Sequence, residues 1–178
     1  MTHEIIIAGF GGQGGMAIGK TMAEAGMKEN LEVSWLPSYG PEMRGGTANC
    51  CVVLSSEPIV SPLVVNPTAL IAMNKPSLTR FEPTVVPGGH IFVNSSIVDI
   101  KAQRKDVTAV YVPCLEIAED LGNVKVANMV MLGAFIGATK LLRTDTIREM
   151  LAHMFTGPKA ALVELNVEAL RRGAQCVI

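Results

Sequence analysis

Two glycine-rich signatures overlap near the start of the chain. Gly9-Phe10-Gly11-Gly12-Gln13-Gly14 fits G-x-G-x-x-G, and Gly14-Gly15-Met16-Ala17-Ile18-Gly19-Lys20-Thr21 fits G-x-x-x-x-G-K-[ST]. Both patterns serve phosphate chemistry. Glycines let backbone N–H groups meet a pyrophosphate at the positive end of a helix, and the lysine of the second pattern reaches the outer phosphates. Each needs a companion. A dinucleotide site wants a carboxylate about 20 residues on, ending the second strand, for a ribose hydroxyl. Here that position is near Ser34 and the strand end reads Leu36-Pro37-Ser38, with Glu32 at the wrong end. An NADP site could recruit Arg44 instead. An ATPase wants Lys20 and Thr21 opening the helix and an acid closing another strand. Four glycines already fill the turn before Met16, which puts Lys20 and Thr21 inside the helix. The strand ends carry Asn74 and Asn94, with Asp99 as a candidate acid. The plain alternative for both patterns is a tight turn that packs a helix onto a sheet.

The second unusual segment is Ser38-Tyr39-Gly40-Pro41-Glu42-Met43-Arg44-Gly45-Gly46. It follows a strand, where open α/β sheets place functional loops. Arg44 could grip a carboxylate or phosphate with two parallel hydrogen bonds. Equally, the segment reads as a rigid turn whose Glu42 and Arg44 are solvated. Other polar residues read more simply. Cys50 and Cys51 alternate across a strand and have no histidine nearby to act as base, so they pack as small hydrophobes. His90 reads as a strand-edge side chain, and Met129, Met131, Met150 and Met154 as core or interface fillers. Asn94 and Asn128 satisfy buried backbone groups or face a partner. Cys50, Cys51, Cys114 and Cys176 lack C-x-x-C spacing, and His3, His90 and His153 lie far apart. No zinc or iron–sulfur ligand pattern emerges, and no residue is assigned as catalytic.

The elements that must position these residues follow from local pattern. Glu4–Phe10 is a β-branched run suited to a strand buried on both faces. Met16–Asn30 has helical periodicity. Strands follow at Leu31–Leu36, Thr47–Ser55, Ala69–Met73, His90–Asn94 and Val107–Val112, with a turn or two of helix at Pro76–Phe81. Helices follow at Leu115–Leu121, Val126–Leu142, from a Thr144 cap to Phe155, and at Lys159–Arg172. Gly133 and Gly137 share a helix face and invite close approach. The alternation predicts an α/β fold, a three-layer α/β/α sandwich with a mostly parallel, Rossmann-like sheet.

The 178 residues suit one domain, 1–178. Hydrophobic residues make up 49% and mean hydropathy is +0.36, which excludes disorder. Charged residues are only 17%, against about 25% on average, and so sparse a charged surface predicts a partner-covered apolar face. Net charge is −1 with scattered cations, so no nucleic-acid partner is expected. The N-terminus has no signal-peptide pattern, and the apolar stretch Val126–Thr139 is short of a membrane span. With no disulfide framework, a cytoplasmic location is expected.

GFGGQG, then SYGPEMRGGTANC, IAMNKPSL, PGGHIFVNSS and KVANMVMLGAFIG, in this order over nearly the whole chain, resemble the gamma subunit of 2-oxoacid:ferredoxin oxidoreductases. The flavour is that of the 2-oxoglutarate or branched-chain 2-oxoacid enzymes. The resemblance implies a complex that decarboxylates a 2-oxoacid on thiamine diphosphate, passes electrons through iron–sulfur clusters to ferredoxin, and forms acyl-CoA. It places thiamine, magnesium and the clusters on partner alpha and beta subunits, and on a delta subunit where there is one. This chain then binds no cofactor alone and is inactive alone, with CoA as a co-substrate of the complex. By position, the resemblance implies that Gly11, Gly12, Gln13 and Gly14, with Ser38, Tyr39, Pro41, Glu42, Arg44, Gly45 and Gly46, shape the subunit junction and a CoA approach. The reading from G-x-G-x-x-G alone, a stand-alone nucleotide- or NAD(P)-binding protein, remains the alternative.

Overall fold

A computed structural model describes residues 1–39 and 47–177. The elements in chain order are β1 (Thr2–Phe10), α1 (Gly15–Lys28), β2 (Glu32–Tyr39), β3 (Thr47–Ser55), β4 (Ala69–Ala72), α2 (Lys75–Phe81), β5 (His90–Asn94) and β6 (Thr108–Val112). Then come α3 (Cys114–Asp120), α4 (Ala127–Thr139), α5 (Thr144–Met154) and α6 (Ala161–Ala174). They build a sheet of order β2-β3-β1-β4-β5-β6. From β1 outward through β4, β5 and β6 every pair is parallel, whereas β3 runs antiparallel between β1 and β2. The expected α/β class with a mostly parallel sheet is therefore the observed one.

The strand β1 shows why the sheet is buried on both sides. Ile5 and Ile7 point into one apolar cluster, and Ile6 and Ala8 into another. Successive side chains face opposite ways, so an uninterrupted β-branched run needs cover on both faces. The covers are unequal. The first cluster packs the sheet against α1, α3, α4, α5 and α6. The second is smaller and is closed by the seven-residue α2, with Val85, Val98 and the irregular segments that carry Ile59, Val64, Ile100 and Ala102.

Several boundaries differ from the sequence expectation for physical reasons. The strand β2 does not stop at Leu36 but continues through Pro37 to Tyr39. It is an edge strand, where a missing N–H is tolerated. Thr144 is the first residue of α5, not its cap. Arg143 stands before it in extended conformation, and no side-chain cap hydrogen bond forms. The helix α4 ends at Thr139, where Lys140 turns into the left-handed region at φ 56°. His90 stands at the edge of its strand as expected, opening β5, and it stacks on Phe92 with centroids 6.0 Å apart. Met129, Met131 and Met150 are core residues as expected, while Met154 is exposed. Gly133 and Gly137 do face one neighbour, α6, which answers with Gly173.

Candidate functional site

The turn after β1 is held by a side chain. Gln13 Oε1 accepts the Phe10 N–H at 2.7 Å, and Gln13 Nε2 donates to the Met73 carbonyl at 3.1 Å. One carboxamide thus ties the end of β1 to the end of β4. The turn needs glycine where it reverses: Gly12 and Gly14 lie at φ 91° and 82°. Gly14 caps α1 with its carbonyl, which accepts the Ile18 N–H at 3.0 Å, and a Cβ on it would sit 2.8 Å from Asn128 Cβ.

That contact marks where α4 arrives. The N-termini of α1 and α4 converge on a crevice of 320 Å³, lined by Gly12, Gln13, Gly14, Asn94, Lys125 and Asn128 among others. Lys125 is the charged side chain in the lining, held in a 3₁₀ turn by Asn123, whose Oδ1 accepts its N–H at 3.0 Å. Two helix N-termini and one ammonium make the crevice electropositive. Asn94 is buried at its floor. Its Nδ2 reaches the Met73 carbonyl at 3.5 Å, and its Oδ1 has no hydrogen-bond partner. Asn74, also buried, caps α2 by accepting the Ser77 N–H at 2.9 Å and leaves its own Nδ2 unpaired. Unpaired buried amides are costly, and such orphans mark places where water or a ligand completes the site.

A second cavity, of 330 Å³, lies on the other side of the same turn. Phe10, Met16 and Ala17 line it with Thr47 and Ala48. Register brings the second sequence segment to this edge, since Tyr39 pairs with Ala48 and Ala48 with Gly9. The structure therefore places Gly11, Gly12, Gln13 and Gly14 at one end of the sheet, with exposed Ser38 and the backbone of Tyr39 two strands away at the same end. Pro41, Glu42, Arg44, Gly45 and Gly46 lie outside the described residues.

The phosphate patterns lose their companions. The strand that should supply a ribose acid, β2, is separated from β1 by antiparallel β3. The true neighbours of β1 bring Thr47 and Asn74 to that end, not a carboxylate. Lys20 pairs with Glu24 at 3.8 Å on the outside of α1, and Thr21 Oγ1 donates to the Ala17 carbonyl at 2.8 Å. Asp99 pairs with Lys75 at 3.2 Å. Burial pushes the Cys50 thiol up to about 12 and raises that of Cys114, so neither is poised as a nucleophile. Among the described residues no group of three His, Cys, Asp or Glu could hold a metal ion, and no helix is long and apolar enough to cross a membrane.

The family model for pyruvate ferredoxin/flavodoxin oxidoreductase matches residues 4–176. The chain belongs to this family. It is 42% identical over 95% of its length to the ketoisovalerate oxidoreductase subunit VorA of Methanothermobacter thermautotrophicus, but spans only 35% of that relative. It is 34% identical to the 2-oxoglutarate synthase subunit KorC of Methanocaldococcus jannaschii, over 97% of this chain and 92% of KorC. Among solved structures it is similar to the gamma subunit of a keto/oxoacid ferredoxin oxidoreductase from Geobacter sulfurreducens, with TM-score 0.81, 28% identity and 98% of each chain covered. The gamma-subunit resemblance seen in the sequence thus holds for this oxidoreductase family member. Sequence reasoning passed over Lys125. The signal for it was Asn123, a helix-start residue that holds the next turn and with it the lysine.

Proposed function

We propose that this chain is the gamma subunit of a thiamine-diphosphate-dependent 2-oxoacid:ferredoxin oxidoreductase. Such a complex converts a 2-oxoacid and CoA to acyl-CoA and CO₂, with electrons to ferredoxin. The observation that carries the reading is the family match from 4 to 176 on a chain whose site offers anion-binding donors. The carboxylates that hold a magnesium ion and the thiolates that hold clusters are not in this lining, which supplies amides, backbone N–H groups and one ammonium, so thiamine with its magnesium and the clusters are assigned to partner subunits. What this chain contributes is positioning. The glycine turn, Lys125 and the start of α4 receive phosphate groups of CoA, and Arg44 meets a further phosphate or a partner carboxylate. The 2-oxoacid is 2-oxoglutarate or ketoisovalerate, following KorC and VorA.

The test is reconstitution. The chain purified with its partners should reduce ferredoxin with one of the two oxoacids in a CoA-dependent way, and the chain alone should be colourless and inactive. Lys125→Ala removes one charge-assisted contact of about 1.5–3 kcal/mol, so the Michaelis constant for CoA should rise roughly tenfold or more. An unchanged constant would remove Lys125 from the CoA path. Tight binding of NADPH or ATP by the free chain would favour the stand-alone nucleotide-binding alternative.

A further inference from the structure

The connection between β3 and β4 is an unusual surface. From Pro58 to Asn74 the sequence has no charged residue, and Pro58, Pro62 and Pro67 punctuate it. Ile59 and buried Val64 anchor it to the smaller apolar cluster, on the thinly covered face of the sheet. Between and beside those anchors Val60, Leu63 and Val65 are 99%, 62% and 70% exposed. The strap has a defined conformation. Ser55 Oγ accepts the Glu57 N–H at 3.0 Å, Ser61 Oγ accepts the Leu63 N–H at 3.1 Å, and the Pro67 carbonyl accepts the Val86 N–H at 3.0 Å. Isolated exposed hydrophobics are ordinary, but here three fall within six residues of an uncharged, pinned segment. Three prolines lower the ordering cost of docking.

The relatives supply the occupant. KorC has this domain as a chain of nearly its own length, whereas in VorA the same domain is part of a chain of which it makes up 35%. Where the domain is a separate chain, the contact with that remaining polypeptide must be made non-covalently. We propose that the strap, through Val60, Leu63 and Val65, docks this chain onto the subunit homologous to the remainder of VorA, against an uncharged apolar patch. The proposal rests on the gamma-subunit reading and adds the surface to it. An uncharged strap selects an uncharged counter-surface, because a buried unpaired charge opposite it would be strongly penalised. The strap leaves β3 beyond Ser55, which pairs with Thr2 at the start of β1, so it lies at the end of the sheet opposite the glycine turn. Docking there leaves the crevice open.

The experiment titrates the wild-type chain, Val60→Glu, Leu63→Glu and the control Met27→Glu with that partner subunit from the same organism. Met27 is 61% exposed on α1, in the other layer, so it receives the same change of character away from the strap. The free chains should melt together, since the altered side chains face water, and Val65→Ser serves as a milder second probe. The expected result is a dissociation constant raised about tenfold or more for Val60→Glu and Leu63→Glu, as for central contacts of an interface, and unchanged for Met27→Glu. Wild-type affinity in both strap variants would overturn the surface while leaving the subunit role intact. Failure of the wild-type chain to bind the partner would overturn the subunit role and the surface with it. Self-association of the free chain that Val60→Glu abolishes, with partner affinity unchanged, would assign the strap to a second copy and overturn the proposal.

Discussion

Replacing Gly133 by alanine is the most severe small change the structure offers. A Cβ on Gly133 would lie 2.0 Å from the Leu170 carbonyl oxygen and 2.7 Å from the Leu170 Cα. Ordinary contact begins near 3.4 Å, so α6 would have to retreat by about 1.4 Å. The obstacle is backbone, which no rotamer change can relieve. The contact is also reciprocal, because a Cβ on Gly173 would lie 1.8 Å from the Val130 carbonyl oxygen. Forced separation of packed helices costs about 1–3 kcal/mol and occasionally more. Removing a glycine from a helix interior returns about 1 kcal/mol. With a backbone-to-backbone clash at the upper end of the first range, Gly133→Ala should lose about 2 kcal/mol net. For a chain of this size that lowers Tm by roughly 4–8 °C. Gly137→Ala is the internal control. Its Cβ would meet the Ala174 Cα at 2.9 Å near the end of α6, so a retreat of about 0.5 Å suffices, roughly a third of that at Gly133, and its net effect should be within about 1 kcal/mol of zero. Thermal and urea unfolding of both variants decide the matter. If Gly133→Ala melts at or above wild type, or if the two variants behave alike, the close α4–α6 crossing is not as described.

Gly14→Ala should cost about 1–3 kcal/mol, from a left-handed backbone plus the 2.8 Å approach to Asn128, and Gly12→Ala less, since open space surrounds its Cβ; urea titration of the pair separates strain from contact. The Cys50 thiol has its pKa raised by burial from 9.0 to about 12, so the folded state holds that proton longer than the unfolded state. Its contribution is full below about pH 9 and is lost between pH 9 and 12, so Tm should fall over that range more steeply in wild type than in Cys50→Ala. Buried Glu82 accepts the N–H groups of Gln103 and Arg104, so Glu82→Ala should lose about 2–4 kcal/mol while Glu82→Gln retains most of the stability, as read by denaturant unfolding.

What was legible in the sequence was local. A β-branched run followed by glycines and a 3.6-residue period specified β1, the turn and α1, and Thr47–Ser55 was placed to the residue. What was not legible depended on pairing between distant segments. Nothing local told that β3 inserts antiparallel between β1 and β2, yet that insertion removes the ribose partner of the G-x-G-x-x-G pattern. The shared face of Gly133 and Gly137 followed from their spacing, but not that Gly173 of α6 meets it. Gln13 stood out only as a member of the glycine run. Its two hydrogen bonds, one to its own turn and one across 60 residues to Met73, appear only when β4 lies beside β1. Asn94, Lys125 and Asn128 likewise come from a strand end, a 3₁₀ turn and a helix start, which only the fold brings into one crevice.

The uneven cover of the sheet ties these observations together. Ile6, Ala8, Leu70, Ala72, Ile91 and Val93 are as buried as their neighbours on the helix-covered face, yet most of their cover is irregular chain. Irregular chain can do this only where its own polar backbone is satisfied, and here Glu82 and Arg104 provide that service. The Glu82 carboxylate takes the Gln103 and Arg104 N–H groups, and the Arg104 guanidinium binds the carbonyls of Glu82 and Val85 while pairing with Asp106. Such cover is thin, one segment deep, so apolar side chains on its outer side face water. A chain with 17% charged residues has few polar side chains with which to mask them. Thin cover and low charge are economical in a domain that a larger assembly encloses, and a liability in one that works alone. The same sheet keeps its glycine turn and its electropositive crevice at the far end from the strap, so the thinly covered end and the crevice do not compete for the same surface.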